Sequence, residues 1–412
     1  MRTDVDLAPT ITPTITPTAP PAPVRRRRPW LAITAVVAGT MLLLSAGLWR
    51  SVAADALVRF PTDVDLHPRY EGTLTTFVDP ATSAPLAAPR VVGLVVDRSV
   101  QAIADESTND TVLVREAIRF SVDGAEPSEQ IHQYVMDRRS NANVADERAW
   151  AFQPSNVLDR SGAYWVALPM GSEGDTAVAM FKDEIGTTFE AAGAGVTEEV
   201  AGLGLVAYDA SATNAPVTPA YLDALAATVA LPGSLTFEQL KPSLVAAGVP
   251  VDETLAALVR LATPEDLQSL VASTSQPIVL EYVDSFNGRT FIEPDTGAVV
   301  DVRSVVERVG VRPAPEALPP LLAILERYRS DPTVDEAVVR LEALATQPMP
   351  VFEYRYAQVP SSVDEIATWV GDQRDRMALA EHTIPLVLAV AGGVLLLAGM
   401  SGLIVRARRQ AR

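Results

Sequence analysis

Cysteine is absent from the 412 residues, which excludes disulfides, iron–sulfur clusters and thiolate catalysis. Any domain outside the cytoplasm must then be held by core packing, which a chain of this length can supply. Lysine is nearly absent: Lys182 and Lys241 stand alone, and arginine carries the remaining positive charge. Basic residues are short overall, with 33 Lys+Arg against 51 Asp+Glu and a formal net charge of −18. That balance argues against nucleic acid as a partner, because such binding rests on neutralising phosphates. Catalytic signatures are missing too. There is no G-x-S-x-G elbow outside the apolar spans, no H-E-x-x-H, no Walker loop, and no G-x-G-x-x-G after a strand. The expectation is a protein that is not an enzyme and carries no cofactor.

What the chain does have is two long uncharged runs. The first, "PWLAITAVVAGTMLLLSAGLW", lies between Arg28 and Arg50, with Trp30 and Trp49 at its ends. At about 1.5 Å per helical residue it matches the roughly 30 Å hydrocarbon core, and indole rings favour the headgroup level. The second, "TIPLVLAVAGGVLLLAGMSGLIV", runs from Thr383 to Val405. Each has a basic cluster on one side only: Arg25, Arg26, Arg27 and Arg28 before the first, Arg406, Arg408, Arg409 and Arg412 after the second. The positive-inside rule places both clusters in the cytoplasm, leaving residues 51–381 outside the plasma membrane with 23 Lys+Arg against 49 Asp+Glu. A cleaved signal peptide is the rival reading; the length of the run and the tail ahead of the arginines favour an uncleaved anchor. Neither span carries an ionisable residue, which disfavours a transporter. Small residues at four-residue spacing (Ala35/Gly39, Ala389/Gly393, Ala398/Gly402) permit close helix approach, either between the chain's own spans or in a homodimer.

The organisation predicted is a disordered Pro/Thr-rich basic tail at 1–28, a transmembrane helix at 29–49, and a β-rich segment at 51–215. A helical insertion follows at 216–275, then a β-meander with helices at 276–381, a second transmembrane helix at 383–405 and a basic tail at 406–412. Short runs rich in Val, Ile, Tyr and Phe separated by turn clusters carry the strand reading. In "TVLVREAIRF" the alternation slips near Glu116, which suggests a bulge. Helix starts are marked at Thr218-Pro219, Thr236 with Gln239, Thr263-Pro264, Asp331-Pro332, and Ser362 with Glu365. Asn287-Gly288 predicts a tight hairpin turn, and Asp295-Thr296-Gly297 a second turn. The fold class expected is α+β: a large antiparallel sheet or barrel with an inserted helical subdomain, flanked by two transmembrane helices.

Candidate site residues are few. In "DVDLH", Asp63, Asp65 and His67 share one face of an extended strand and could bind a divalent ion; a solvated edge of an acidic domain is the competing reading. His132 lies in a predicted strand with no ligand nearby in sequence, and His382 at the membrane boundary. The glycines of "GAGVTEEVAGLGL" read as turns or bulges.

With these segments laid out, the chain resembles the actinobacterial "porin PorA family" of membrane proteins. The resemblance rests on the two-span layout and on "EGTLTTFVD", "DRRSNAN", "LDRSGAYWVALPMG", "EEVAGLGLVAYDA" and "FIEPDTGAVVDV", in that order. The bias to arginine, alanine and valine fits such a GC-rich source. The layout is also similar to class B scavenger receptors, which implies an ectodomain that binds or passes on lipid or glycolipid ligands, contains a long apolar tunnel, and has the lipid bilayer as its other partner. The competing function is a non-catalytic module organising envelope assembly; a pore or an envelope hydrolase is the weaker reading.

Overall fold

The computed structural model describes residues 30–53, 58–123, 125, 127–226 and 228–411. They fall into two compact units, one ending at Ser51 and resuming at His382, the other spanning Val52–Glu381. Arg25, Arg26, Arg27, Arg28 and Arg412 lie outside the described residues.

The described chain opens with α1 (Trp30–Leu48) and then enters the sheet unit. Its strands are β1 (Asp65–Leu66), β2 (Arg69–Val78), β3 (Pro85–Ala102), β4 (Thr111–Val122), β5 (Ser128–Asp137), β6 (Trp150–Ala151), β7 (Val178–Lys182), β8 (Thr187–Val200) and β9 (Leu203–Pro216). The helices α2 (Pro219–Leu225), α3 (Phe237–Ala246), α4 (Val251–Leu261) and α5 (Pro264–Ser275) follow, with β10 (Ser234–Leu235) among them. Then come β11 (Ile278–Ile292), β12 (Val299–Pro313), α6 (Pro319–Glu326), α7 (Pro332–Ala343), β13 (Met349–Gln358) and α8 (Pro360–Ala378). The architecture is α+β, with one antiparallel sheet in the order β6-β5-β4-β3-β2-β13-β12-β11-β9-β8-β7.

The helix starts obey local chemistry. Thr218 and Thr263 cap ahead of a first-turn proline, Thr236 and Gln239 form a reciprocal capping box, and Asp331 accepts from Thr333 and Val334. The expected Ser362/Glu365 box does not form. Pro360 starts α8 two residues earlier, so Ser362 falls inside it, and its hydroxyl accepts from the Arg69 amide at 3.0 Å. The helices pack their apolar faces on Leu280, Tyr282, Val309, Val351 and Phe352 of the sheet.

Two strand expectations are corrected. Asn287-Gly288 makes no hairpin; β11 runs straight through it, and the pair marks a bulge against β12. The turn at Asp295–Gly297 is real and joins β11 to β12. β4 has no bulge at Glu116, its register with β3 and β5 being unbroken there. Glu116 holds an inward position between Val114 and Ile118 and is 1 % exposed. The apolar alternation slipped because a charge is buried, not because the backbone shifts.

The outward side of the sheet carries ion pairs such as Arg119–Glu129 (3.0 Å) and Arg289–Asp209 (2.7 Å). Exposed pairs of this kind contribute about 0–1 kcal/mol each, so the fold is held by its apolar clusters, one of which packs Val363, Ile366 and Val370 of the helix Pro360–Ala378 on Leu205, Phe291 and Val300. The two ends of the strand path are bridged by the segment after β5. Asn143 pairs with Met136 and donates to the Ala163 carbonyl at 2.9 Å, while Tyr164 pairs with Met180 of β7.

The helical backbone of α8 continues through a π-turn (Leu379–Thr383) into α9 (Ile384–Gln410). By length and composition α1 and α9 are able to cross a membrane. They pack on each other through Gly39, Gly392 and Gly399: a Cβ on Gly392 would lie 2.8 Å from the Gly39 carbonyl, and one on Gly399 2.8 Å from that of Ala32. The close-approach residues of α9 are thus Gly392, Gly399 and the expected Gly402, whereas Gly393 faces open space and Ala398 is exposed. Arg406, Arg408 and Arg409 occupy the last turns of α9.

Candidate functional site

Alternate residues of the strands turn to the inner side of the curled sheet, and this period is interrupted by charge. Arg98 of β3, Glu116 of β4, His132 of β5, Lys182 of β7, Asp284 of β11 and Glu307 of β12 all occupy such places. They form two polar clusters.

The first joins the ends of the strand path. The carboxylate of Asp183, just past β7, sits 2.6 Å from His132 Nδ1 and accepts from Arg160 Nε and Nη2, both at 2.7 Å. Arg160 is 1 % exposed; it also donates to the carbonyls of Gln133 and Trp150, and its guanidinium lies 4.4 Å from the centre of the Tyr134 ring. The Tyr134 hydroxyl stands 2.8 Å from Glu116 Oε2 and 3.2 Å from Asp183 Oδ2, and Glu116 accepts from Arg98. Burial alone would raise the Asp183 carboxyl, but His132 and Arg160 hold it below its ordinary value. Burial would likewise lower the His132 imidazole, and Asp183 raises it instead. With both arginines paired, the cluster is close to neutral and structural in character.

The second cluster carries a surplus of acid. Lys182 Nζ lies 2.9 Å from Glu307, 3.1 Å from Glu184 and 3.4 Å from Asp284. Burial would lower the ammonium, yet three carboxylates lift it well above its usual range. Glu307 is pushed up to about 7 by burial and by the charges of Asp284 and Glu184, against the pull of Lys182. Beside it lies a cavity of about 150 Å³ walled by aromatic rings, among them Phe120, Phe286, Tyr354 and Tyr356.

A separate groove of about 420 Å³ runs where the sheet meets the helices. Leu86 of β3, Leu240 of α3, Leu280 of β11, Leu344 beyond α7 and Val351 of β13 form its walls, and Arg340 of α7 stands among them. Arg340 is about half exposed and only loosely paired with Glu336 at 3.8 Å.

The sequence-predicted metal residues are not drawn together into such a site. Asp65 and His67 form an exposed pair at 3.2 Å, Asp63 is exposed, and no group of three His, Asp or Glu among the described residues could hold a metal. His132, which the sequence left without partners, is the buried one. The motifs "DRRSNAN", "LDRSGAYWVALPMG" and "FIEPDTGAVVDV" meet in space: Asn141 Nδ2 donates to the carbonyls of Leu168 and Thr296 at 2.8 and 3.0 Å. Glu293 accepts from the Thr296 amide and hydroxyl, closing the turn at Gly297. Lys182, Glu184, Asp284 and Glu307 were missed; for the three that lie on strands, one signal is a charge at an inward position of an otherwise apolar alternation.

A family model described as Porin PorA matches residues 31–401. No curated protein matches the chain.

Proposed function

Taking as premise that this chain belongs to the Porin PorA family and is a membrane protein with an apolar helix near each end, we propose that residues 51–381 are an extracytoplasmic, non-catalytic domain that binds a lipid-like amphiphile of the cell envelope. In this reading both basic tails face the cytoplasm across the plasma membrane. The observation that carries it is the groove of about 420 Å³ lined by leucine, valine and proline with Arg340 beside it. Ligand pockets measure roughly 300–1,000 Å³ and combine apolar walls with a few polar groups. An acyl chain suits the walls, and an anionic head suits a guanidinium that has only a distant partner. The cavity inside the sheet, at about 150 Å³ with charged residues in its wall, is not the long apolar tunnel that passage of a lipid requires. Binding, rather than transfer through the domain, is the activity supported.

A pore made by the sheet is disfavoured by its outward side. A lipid-facing barrel presents an apolar band, whereas this sheet presents Arg119–Glu129, Arg289–Asp209 and Arg303–Glu198. The test is lipid extraction and native mass spectrometry of the full-length protein purified from membranes in mild detergent. Bound amphiphile is expected in the wild type and lost in Leu86→Arg, which sets a charge at a half-buried position of the groove wall. Crosslinked protein partners with no bound lipid would instead favour an envelope-organising module.

A further inference from the structure

The acidic cluster around Lys182 is unbalanced. Three carboxylates against one ammonium leave a formal surplus of two negative charges, with Lys182 3 % and Asp284 0 % exposed. Neither Asp284 oxygen accepts a hydrogen bond of normal geometry, and its nearest cation is Lys182. Glu184 and Glu307 each take one oxygen to Lys182, and their side chains keep 12 % and 13 % exposure beside the adjoining cavity. Buried surplus charge is costly, and natural interiors pair it, protonate it or bring in a counter-ion.

The cavity wall indicates which counter-ion fits. Aromatic faces attract cations within about 6 Å, and Lys182 Nζ already lies 5.1 Å from the centre of the Phe286 ring. The volume of about 150 Å³ equals that of a cavity able to hold a benzene-sized group. A hard metal ion requires a shell of oxygen ligands, and no group of three His, Asp or Glu among the described residues could hold one, whereas the wall does present aromatic faces. We propose that this cavity is a binding site for a small organic cation, a protonated amine or a quaternary ammonium group, with Glu184 and Glu307 as counter-ions and aromatic rings among its walls; Arg98 and Glu116, which also line it, pair with each other and add no net charge. The site is distinct from the apolar groove and stands whether or not that groove takes a lipid.

Burial and the neighbouring acids push Glu307 up to about 7 and raise Asp284, so without a bound cation a proton on Glu307 relieves part of the surplus below that pH. Entry of the cation then displaces a proton: Glu307 gives it to water and remains as the carboxylate facing the ligand. Affinity therefore rises with pH up to about 7 and flattens above it, by close to tenfold per pH unit below the bend.

The test is calorimetric titration of the full-length protein in detergent with choline and with ethylammonium, in amine-free buffers of differing ionisation enthalpy. Saturable binding is expected at pH 8, about 30-fold weaker at pH 5.5, with about one proton released per ligand near pH 6. Glu307→Gln should weaken binding at least tenfold and remove the pH dependence. Phe286→Leu should weaken it severalfold and serves as a second probe if the first variant folds poorly. Acetate should not bind. Absence of saturable binding at pH 8, or equal affinity in wild type and both cavity variants, overturns the proposal. Loss of lipid from the groove alone does not bear on it.

Discussion

Replacing Glu307 by glutamine should make the protein more stable at pH 8 while leaving it unchanged near pH 4. The carboxyl sits at about 7 in the fold against an ordinary 4.5. For an acid raised in this way the native state binds more protons than the unfolded chain between those two values, so stability falls as pH rises through that window. The displacement corresponds to roughly 3 kcal/mol lost between pH 4 and pH 8 on account of this one group. Glutamine keeps the shape and the contact with Lys182 Nζ, and it stays neutral throughout. The difference between the two proteins should therefore grow from near zero at pH 4 to about 3 kcal/mol at pH 8, most of it appearing between pH 5 and 7. Titrating groups away from Lys182, His132 included, act on both proteins and largely cancel in the comparison. The assay is denaturant unfolding of the full-length protein in detergent at unit pH intervals, followed by tryptophan emission from Trp150, Trp165 and Trp369. A constant difference across the range, or a variant less stable than wild type at pH 8, would refute the charge surplus around Lys182.

Asp183→Asn should leave Arg160 buried without its counter-charge and cost about 3–5 kcal/mol, read as a lower midpoint in the same unfolding assay. Gly297→Ala meets two obstacles: its φ is +69°, and the new methyl would run into the Leu168 carbonyl. A loss of at least about 2 kcal/mol is expected from strain alone, measured by thermal unfolding. Because the chain has no cysteine, the pair Ala32→Cys with Gly402→Cys can be crosslinked without background. A Cβ at 402 lies 3.3 Å from that of Ala32, near disulfide range, so oxidation should give an intrachain bridge seen as a gel shift at monomer mass. Adding Gly392→Leu should abolish it, and dimers in place of the intrachain product would show that the spans pair between chains.

The fold class was legible because its signals are local. Prolines at first helical turns, capping threonines and the alternation of strands each act within a few residues, and nearly all reappear in the structure. Asn287-Gly288 misled because the same dipeptide serves a hairpin or a bulge, and the long partner strand β12 decides between them. The candidate sites were much less legible. Asp183, Glu116 and Arg160 lie far apart in the chain and become neighbours only once the sheet has curled. In isolation each resembles an ordinary surface charge. Lys182 carried a faint clue, being one of two lysines in a chain that otherwise uses arginine. A compact ammonium can face three carboxylates from different strands, which a planar guanidinium does less readily.

The way the first and last strands of the sheet are held together has its own consequence. A ladder of main-chain bonds would seal that gap irrespective of the solution outside. Here isolated bridges and a few main-chain bonds share the work with an aspartate gripped by an arginine and an imidazole. Dissolved salt barely weakens so dry a clasp, but strong acid, by quenching the aspartate, undoes it. The polar part of this closure thus depends on the ionisation of one side chain, and acid rather than ionic strength is the lever that would loosen it.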